Sequence, residues 1–120
     1  MVVANRYAAQ SRIFLRQAYE ELEQGDLHQA SEKGWGAAAQ IVKAVAEEQG
    51  LDHGGHVELY AVVRHLRTEF GIDDLMALFQ TAGHLHFNFY EGVLDGDEVS
   101  DSLNRVSEFV DHMRPLLSGE

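Results

Sequence analysis

Ala30-Ser31-Glu32-Lys33-Gly34-Trp35-Gly36-Ala37-Ala38-Ala39-Gln40-Ile41-Val42-Lys43-Ala44-Val45 decides the architecture of this chain. The stretch is alanine-rich and free of proline, so it reads as a helix, yet two glycines flank the only tryptophan. An interior glycine costs a helix about 0.5–1 kcal/mol relative to alanine. That cost needs an offset. Ala30, Gly34, Ala37, Ala38, Ile41 and Val45 recur at helical spacing and give a face with little side-chain bulk. The expectation is a helix approached closely by others, with backbone near backbone around Trp35.

Outward from this helix the rest of the chain also reads as helical. Its one proline, Pro115, stands near the end, and alternating β-branched runs are lacking. A first helix is expected over about 4–23, with Tyr7, Ala8, Ser11, Phe14, Leu15, Ala18 and Leu22 inward. Gly25 suits a left-handed cap, and Asp26-Leu27-His28-Gln29 fits a capping box for the second helix. A third helix is expected over 56–69, with Leu59, Val62, Val63, Leu66 and Phe70 inward and Gly71 closing it. A fourth opens around Asp73 and reaches Tyr90 or Glu91. A last one, capped by Asp97, carries the stripe Val99, Leu103, Val106, Val110 and Met113. Short connections favour antiparallel neighbours. The fold class is therefore all-α: an up-and-down bundle of four to five antiparallel helices forming one domain over residues 1–120.

Composition excludes several function classes. The chain lacks cysteine, which removes disulfide and thiolate chemistry. Twenty acids against nine Lys and Arg give a formal charge of −11, the wrong sign for a general nucleic-acid coat. Hydrophobic residues at 45% are too many for a disordered acidic chain. Met1-Val2-Val3-Ala4-Asn5-Arg6 lacks a signal-peptide pattern, and apolar runs fall short of membrane-spanning length. A cytoplasmic location without membrane contact is expected.

On the fourth helix, Ile72, Leu75, Phe79, Ala82, Gly83, His86 and Tyr90 cluster on one side. Leu78, Leu85 and Phe89 flank them on one hand, Met76 and Phe87 on the other. This arc is wider than one core-facing stripe, so the helix is either central or also covers a second copy. A homodimer across it is the preferred reading. The opposite arc carries Asp73, Gln80, Thr81, His84, Asn88 and Glu91. Here His84, with Asn88 and Glu91 in reach, has the makings of a general base. His86 reads as a satisfied core or interface histidine.

The blocks Glu32-Lys33-Gly34-Trp35-Gly36-Ala37-Ala38-Ala39-Gln40 and His84-Leu85-His86-Phe87-Asn88-Phe89-Tyr90-Glu91-Gly92 resemble the archaeal PaREP-type family. That family is placed in the HEPN superfamily (higher eukaryotes and prokaryotes nucleotide-binding). The resemblance runs over essentially the whole chain. It implies a four- or five-helix bundle, commonly dimeric. It also implies either ribonuclease toxins or inactive, nucleotide-binding relatives. Active members carry an arginine a few residues before a histidine on a late helix. The matching stretch, Met76 to Tyr90, holds no arginine. Arg105 and His112 match that spacing formally, but on the last helix.

Elsewhere, Asp52-His53-Gly54-Gly55-His56 offers two imidazoles and a carboxylate without fixed geometry, and reads as a loop; no metal or cofactor is expected. Tyr60, Arg64 and Arg67 line one face of the third helix, and Arg12 with Arg16 line the first. Converging, they would grip a phosphate; apart, each pairs with local acids, as Arg16 does with Glu20. Trp35 reads as a packing anchor rather than a base-stacking platform. The functional expectation is a non-catalytic dimeric module binding a nucleotide-like ligand or a partner protein. The alternative is a metal-independent ribonuclease of toxin–antitoxin type, with His84, Asn88, Arg105 and His112 as candidate catalytic residues and RNA as substrate.

Overall fold

Five helices account for nearly all of the chain in the computed structural model, which describes residues 2–118. They are α1 (Val2–Glu23), α2 (Leu27–Gln49), α3 (His56–Phe70), α4 (Leu75–Glu91) and α5 (Gly96–Met113), and a 3₁₀ turn (Arg114–Leu116) follows. No strand occurs among the described residues.

The helix around Trp35, α2, is the centre of the molecule. Its buried residues run round well over half of its circumference, from Ala37 and Ala44 through Gly34 and Ile41 to Val42 and Ala46. α1 packs antiparallel along one side. Ser11 Oγ donates to the Ala37 carbonyl at 2.7 Å, and Lys33 Nζ donates to Gln17 Oε1 at 2.8 Å. On the other side α4 also runs antiparallel to α2, placing Phe79 beside Trp35 and Asn88 beside Ser31. α5 returns along α4 and closes the core with Leu103, Val106, Phe109 and Met113. α1, α2, α4 and α5 form the bundle proper, and α3 leans on its flank. There Tyr60 meets Phe79 edge-on at 4.8 Å, and its hydroxyl fills the space a Cβ would take on Gly83.

The two glycines beside Trp35 serve different neighbours. A Cβ on Gly34 would meet Leu103 Cδ2 at 2.6 Å and Leu85 Cδ1 at 2.9 Å; one on Gly36 would meet the Phe14 ring at 2.9 Å. The space is filled by side chains from α5, α4 and α1, not by a neighbouring backbone as the sequence suggested. The reason is volume. A leucine methyl gains dispersion contacts on every side of such a notch, as close-packed interiors require.

Helix ends follow local chemistry with small shifts. α1 begins at Val2 rather than Ala4. Gly25 takes φ +83° between α1 and α2, and Asp26 caps α2 by accepting from Gln29 N at 3.1 Å. α4 opens after Asp74, one residue later than the pattern suggested. α5 is capped by Asp95 instead of Asp97: Asp95 and Glu98 make a reciprocal capping box with bonds of 2.8 and 2.9 Å. That arrangement satisfies two orphan donors at once. Phe70, expected inward, is 45% exposed because α3 ends there and the chain turns away at Gly71.

The wide apolar arc of α4 has a divided explanation. Leu78 and Leu85 face the core, and Tyr60 covers Phe79 and Gly83 from α3. Phe87, Tyr90 and Val93 stay 52%, 66% and 60% exposed. Centrality belongs to α2, not to α4.

Candidate functional site

A cleft of about 430 Å³ lies along the seam of α4 and α5. α4 contributes Ala77, Gln80, Thr81 and His84, which recur at three- and four-residue spacing and so share its outer face. α5 contributes Ser102 and Arg105 from one face, and Leu94 of the α4–α5 turn closes an end. The cleft thus joins His84 and Arg105, two sequence candidates separated by a whole helix and a turn. Phe87 stands edge-on to His84 with ring centres 5.7 Å apart. Among the described residues Arg105 makes no ion pair, although acids outnumber bases two to one in this chain. An unpaired guanidinium lining one cleft with an imidazole, an amide and two hydroxyls has the forked donors that an oxyanion would need.

Asn88 does not share that face. The sequence put it on a polar strip with His84, but it is 1% exposed and turned toward α2. Its Nδ2 donates to Ser31 Oγ at 2.9 Å, and its Oδ1 accepts from the amides of Val93 and Leu94 at 2.7 and 2.8 Å. Ser31 in turn donates to the Leu27 carbonyl at 2.7 Å. The four-residue step overshoots a full helical turn and carries position 88 across the boundary of the buried face. There it fixes the turn whose Leu94 walls the cleft.

His112 is also elsewhere. It faces Asp74 at 3.7 Å and Glu108 at 3.8 Å, toward the start of α4. Arg12 and Arg16 are exposed on α1, and Arg16 pairs with Glu20 at 3.4 Å. Arg64 and Arg67 are on α3, while Tyr60 turns from them to Phe79. α1 packs on α2 and α5 whereas α3 packs on α4 and α2, so the two arginine pairs occupy separate flanks. They do not converge on the α4–α5 cleft.

The loop histidines separate as well. His53 Nε2 lies 2.8 Å from Glu47 Oε2, and His56 stacks on Trp35 at 5.1 Å with the rings 12° apart. His86 completes a ring cluster, 5.3 Å from Trp35 and 5.2 Å from His56, with its Nδ1 2.8 Å from Glu32 Oε1. Trp35 is thus a packing anchor, but one with histidines around it. No spacing rule links positions 35, 56 and 86, so this cluster was not readable from the sequence.

A larger cavity, about 500 Å³, sits where the α1–α2 turn meets the α4–α5 turn. Three of its polar side chains are already engaged: Asp26 caps α2, Asn88 holds the turn, and His28 Nδ1 donates to the Phe89 carbonyl at 2.8 Å. It presents no unpaired cation and is the weaker candidate. Across the bundle, Tyr19 donates to Asn104 Oδ1 at 2.8 Å, and burial holds its phenol above the ordinary 10.0 while a bond with Ser107 opposes that rise.

An acidic, all-α helical bundle is the class of protein these features define. The chain belongs to the archaeal PaREP1/PaREP8 family, whose model matches residues 6–110. Its fold is similar to the crystal structure of a protein from Sulfolobus solfataricus, at 26% identity and a TM-score of 0.80. That likeness covers 89% of this chain and 95% of the other. Among curated proteins none matches. No helix among the described residues is long and apolar enough to cross a membrane.

Proposed function

We propose that this protein is a non-catalytic cytoplasmic module of HEPN type that binds a nucleotide-like phosphorylated ligand in the α4–α5 cleft. The observation that carries the reading is Arg105: unpaired in an acidic chain, it faces a cleft shared with His84, Gln80, Thr81 and Ser102. Arginine grips phosphate oxygens in a forked geometry, and the hydroxyls and amide can serve a ribose or a base edge. A hydrogen bond to a charged group contributes about 1.5–3 kcal/mol, so Arg105→Ala is expected to weaken binding of a fluorescent adenosine diphosphate analogue about tenfold or more. Equal affinity in the variant would remove the cleft from consideration. Circular dichroism of this exposed-site variant checks that its fold is intact.

The same pairing gives a ribonuclease reading its one support, since α5 supplies the arginine that α4 lacks. An arginine to hold the phosphate and a histidine to move a proton are the parts such cleavage needs. Total RNA incubated with the protein is expected to stay intact. Degradation abolished by His84→Ala would favour the toxin-type reading instead.

The proposed working unit is a homodimer joined over the exposed Phe87, Tyr90 and Val93, a group next to the His84 end of the cleft. Aromatic residues of this kind concentrate at interfaces. Sedimentation is expected to give a dimer for the native chain and a monomer for Tyr90→Glu. A native monomer at high concentration would dismiss the dimer without touching the cleft.

A further inference from the structure

We infer that Asp74, Glu108 and His112 form a binding site for a first-row divalent cation such as Zn²⁺ or Ni²⁺, at the far end of the α4–α5 seam from His84. One carboxylate oxygen from each acid and one ring nitrogen of His112 all lie within 4.8 Å of one another. His112 Nε2 is 3.7 Å from Asp74 Oδ1 and 3.8 Å from Glu108 Oε2. Those separations exceed a hydrogen bond. They approach the spacing of two ligands that share a cation on bonds of about 2.1 Å, roughly 3.4 Å apart in a tetrahedral set.

Two further features favour a cation over a chance encounter of surface charge. Glu108 and His112 stand four residues apart on the rigid C-terminal half of α5, so their side chains reach toward one point. That spacing on a helix is the one that lets two ligands hold a zinc ion. Asp74 occupies the N-cap position of α4 but makes no capping hydrogen bond with its side chain. Aspartate at that position ordinarily turns onto the helix amides; here its oxygen is directed at His112 instead. Two carboxylates and one imidazole suit borderline cations, and the half-exposed acids leave room for water as remaining ligands. The site would bridge the start of α4 to the end of α5. It does not depend on the phosphate reading, since no group of the trio lines the His84–Arg105 cleft.

Protein carrying no affinity tag, stripped with a chelator, is titrated calorimetrically with Zn²⁺ and, for a visible spectrum, with Co²⁺. One equivalent is expected to bind and to raise the melting temperature. His112→Gln and Asp74→Asn are each expected to raise the dissociation constant about tenfold or more, as loss of a ligand does. Both positions are at the surface, so melting of the metal-free variants is expected to match that of the native chain. Three results would overturn the assignment: no binding at millimolar metal, equal affinity in both variants, or affinity lost in His53→Gln and retained in His112→Gln.

Discussion

Gly34→Leu is expected to destabilise the protein by about 3 kcal/mol or more, the upper end of what overpacking a core costs. The position has no spare volume. A single Cβ there would stand 2.6 Å from Leu103 and 2.9 Å from Leu85, and both leucines are fully buried. Neither can retreat without moving the seam between α5 and α4. Gly34→Ala isolates the balance, because the helix gains about 0.5–1 kcal/mol from losing glycine while the clash opposes it. We expect the clash to win, with a net loss of about 1–2 kcal/mol. Gly36→Ala is the control. Its added methyl meets Phe14, a half-buried ring on α1 that can swing outward, so its net change is expected near zero. Urea midpoints at constant slope measure all three. A Gly34→Leu chain as stable as the native one would mean that α2 is not gripped where the structure places it.

Much of this architecture was readable because helix periodicity and small residues act locally. Ala30, Gly34, Ala38, Ile41 and Val45 share one face by spacing alone, and all five are buried. Gly25 and Asp26 announced their turn through conformational freedom and capping chemistry, which need no tertiary partner. What could not be read was the partner of each face. The glycine face suggested a bare backbone, yet which element fills a notch depends on the register of α4 and α5 against α2. The same limit applied to the site. His84 stands out in the sequence as a polar histidine, and Arg105 for a spacing shared with His112; that both line one cleft across a seam is a property of helix pairing. Asn88 illustrates the residual error. A position at the boundary of two arcs reads as outward in the sequence, because its side chain is polar and its inward partners lie far away in sequence or in a turn.

Replacing Asn88 is expected to cost about 2–4 kcal/mol, the cost of leaving several partly buried donors and acceptors unmatched. Its two functions can be separated. Oδ1 holds the amides of Val93 and Leu94, and Nδ2 gives a proton to Ser31. Ser31 has a single proton, already donated to the Leu27 carbonyl, so its oxygen can only accept from position 88. An aspartate keeps the acceptor for the two amides but has nothing to offer Ser31, and it buries a charge. Asn88→Asp is therefore expected to be destabilised near neutral pH and to recover as pH falls. Protonation restores a donor and removes the charge, so the folded chain holds that proton more tightly than the unfolded one, and stability is greatest below the unfolded carboxyl value. Asn88→Ala has no such recovery. In it the Val93 and Leu94 amides are expected to exchange with solvent faster than they do in the native chain. Because Leu94 also walls the cleft, loosening that turn is expected to weaken the proposed nucleotide binding a few-fold through geometry, with a loss of stability. Arg105→Ala should weaken binding with none. If Asn88 instead did chemistry as a surface residue beside His84, its removal would leave both unfolding and amide exchange untouched.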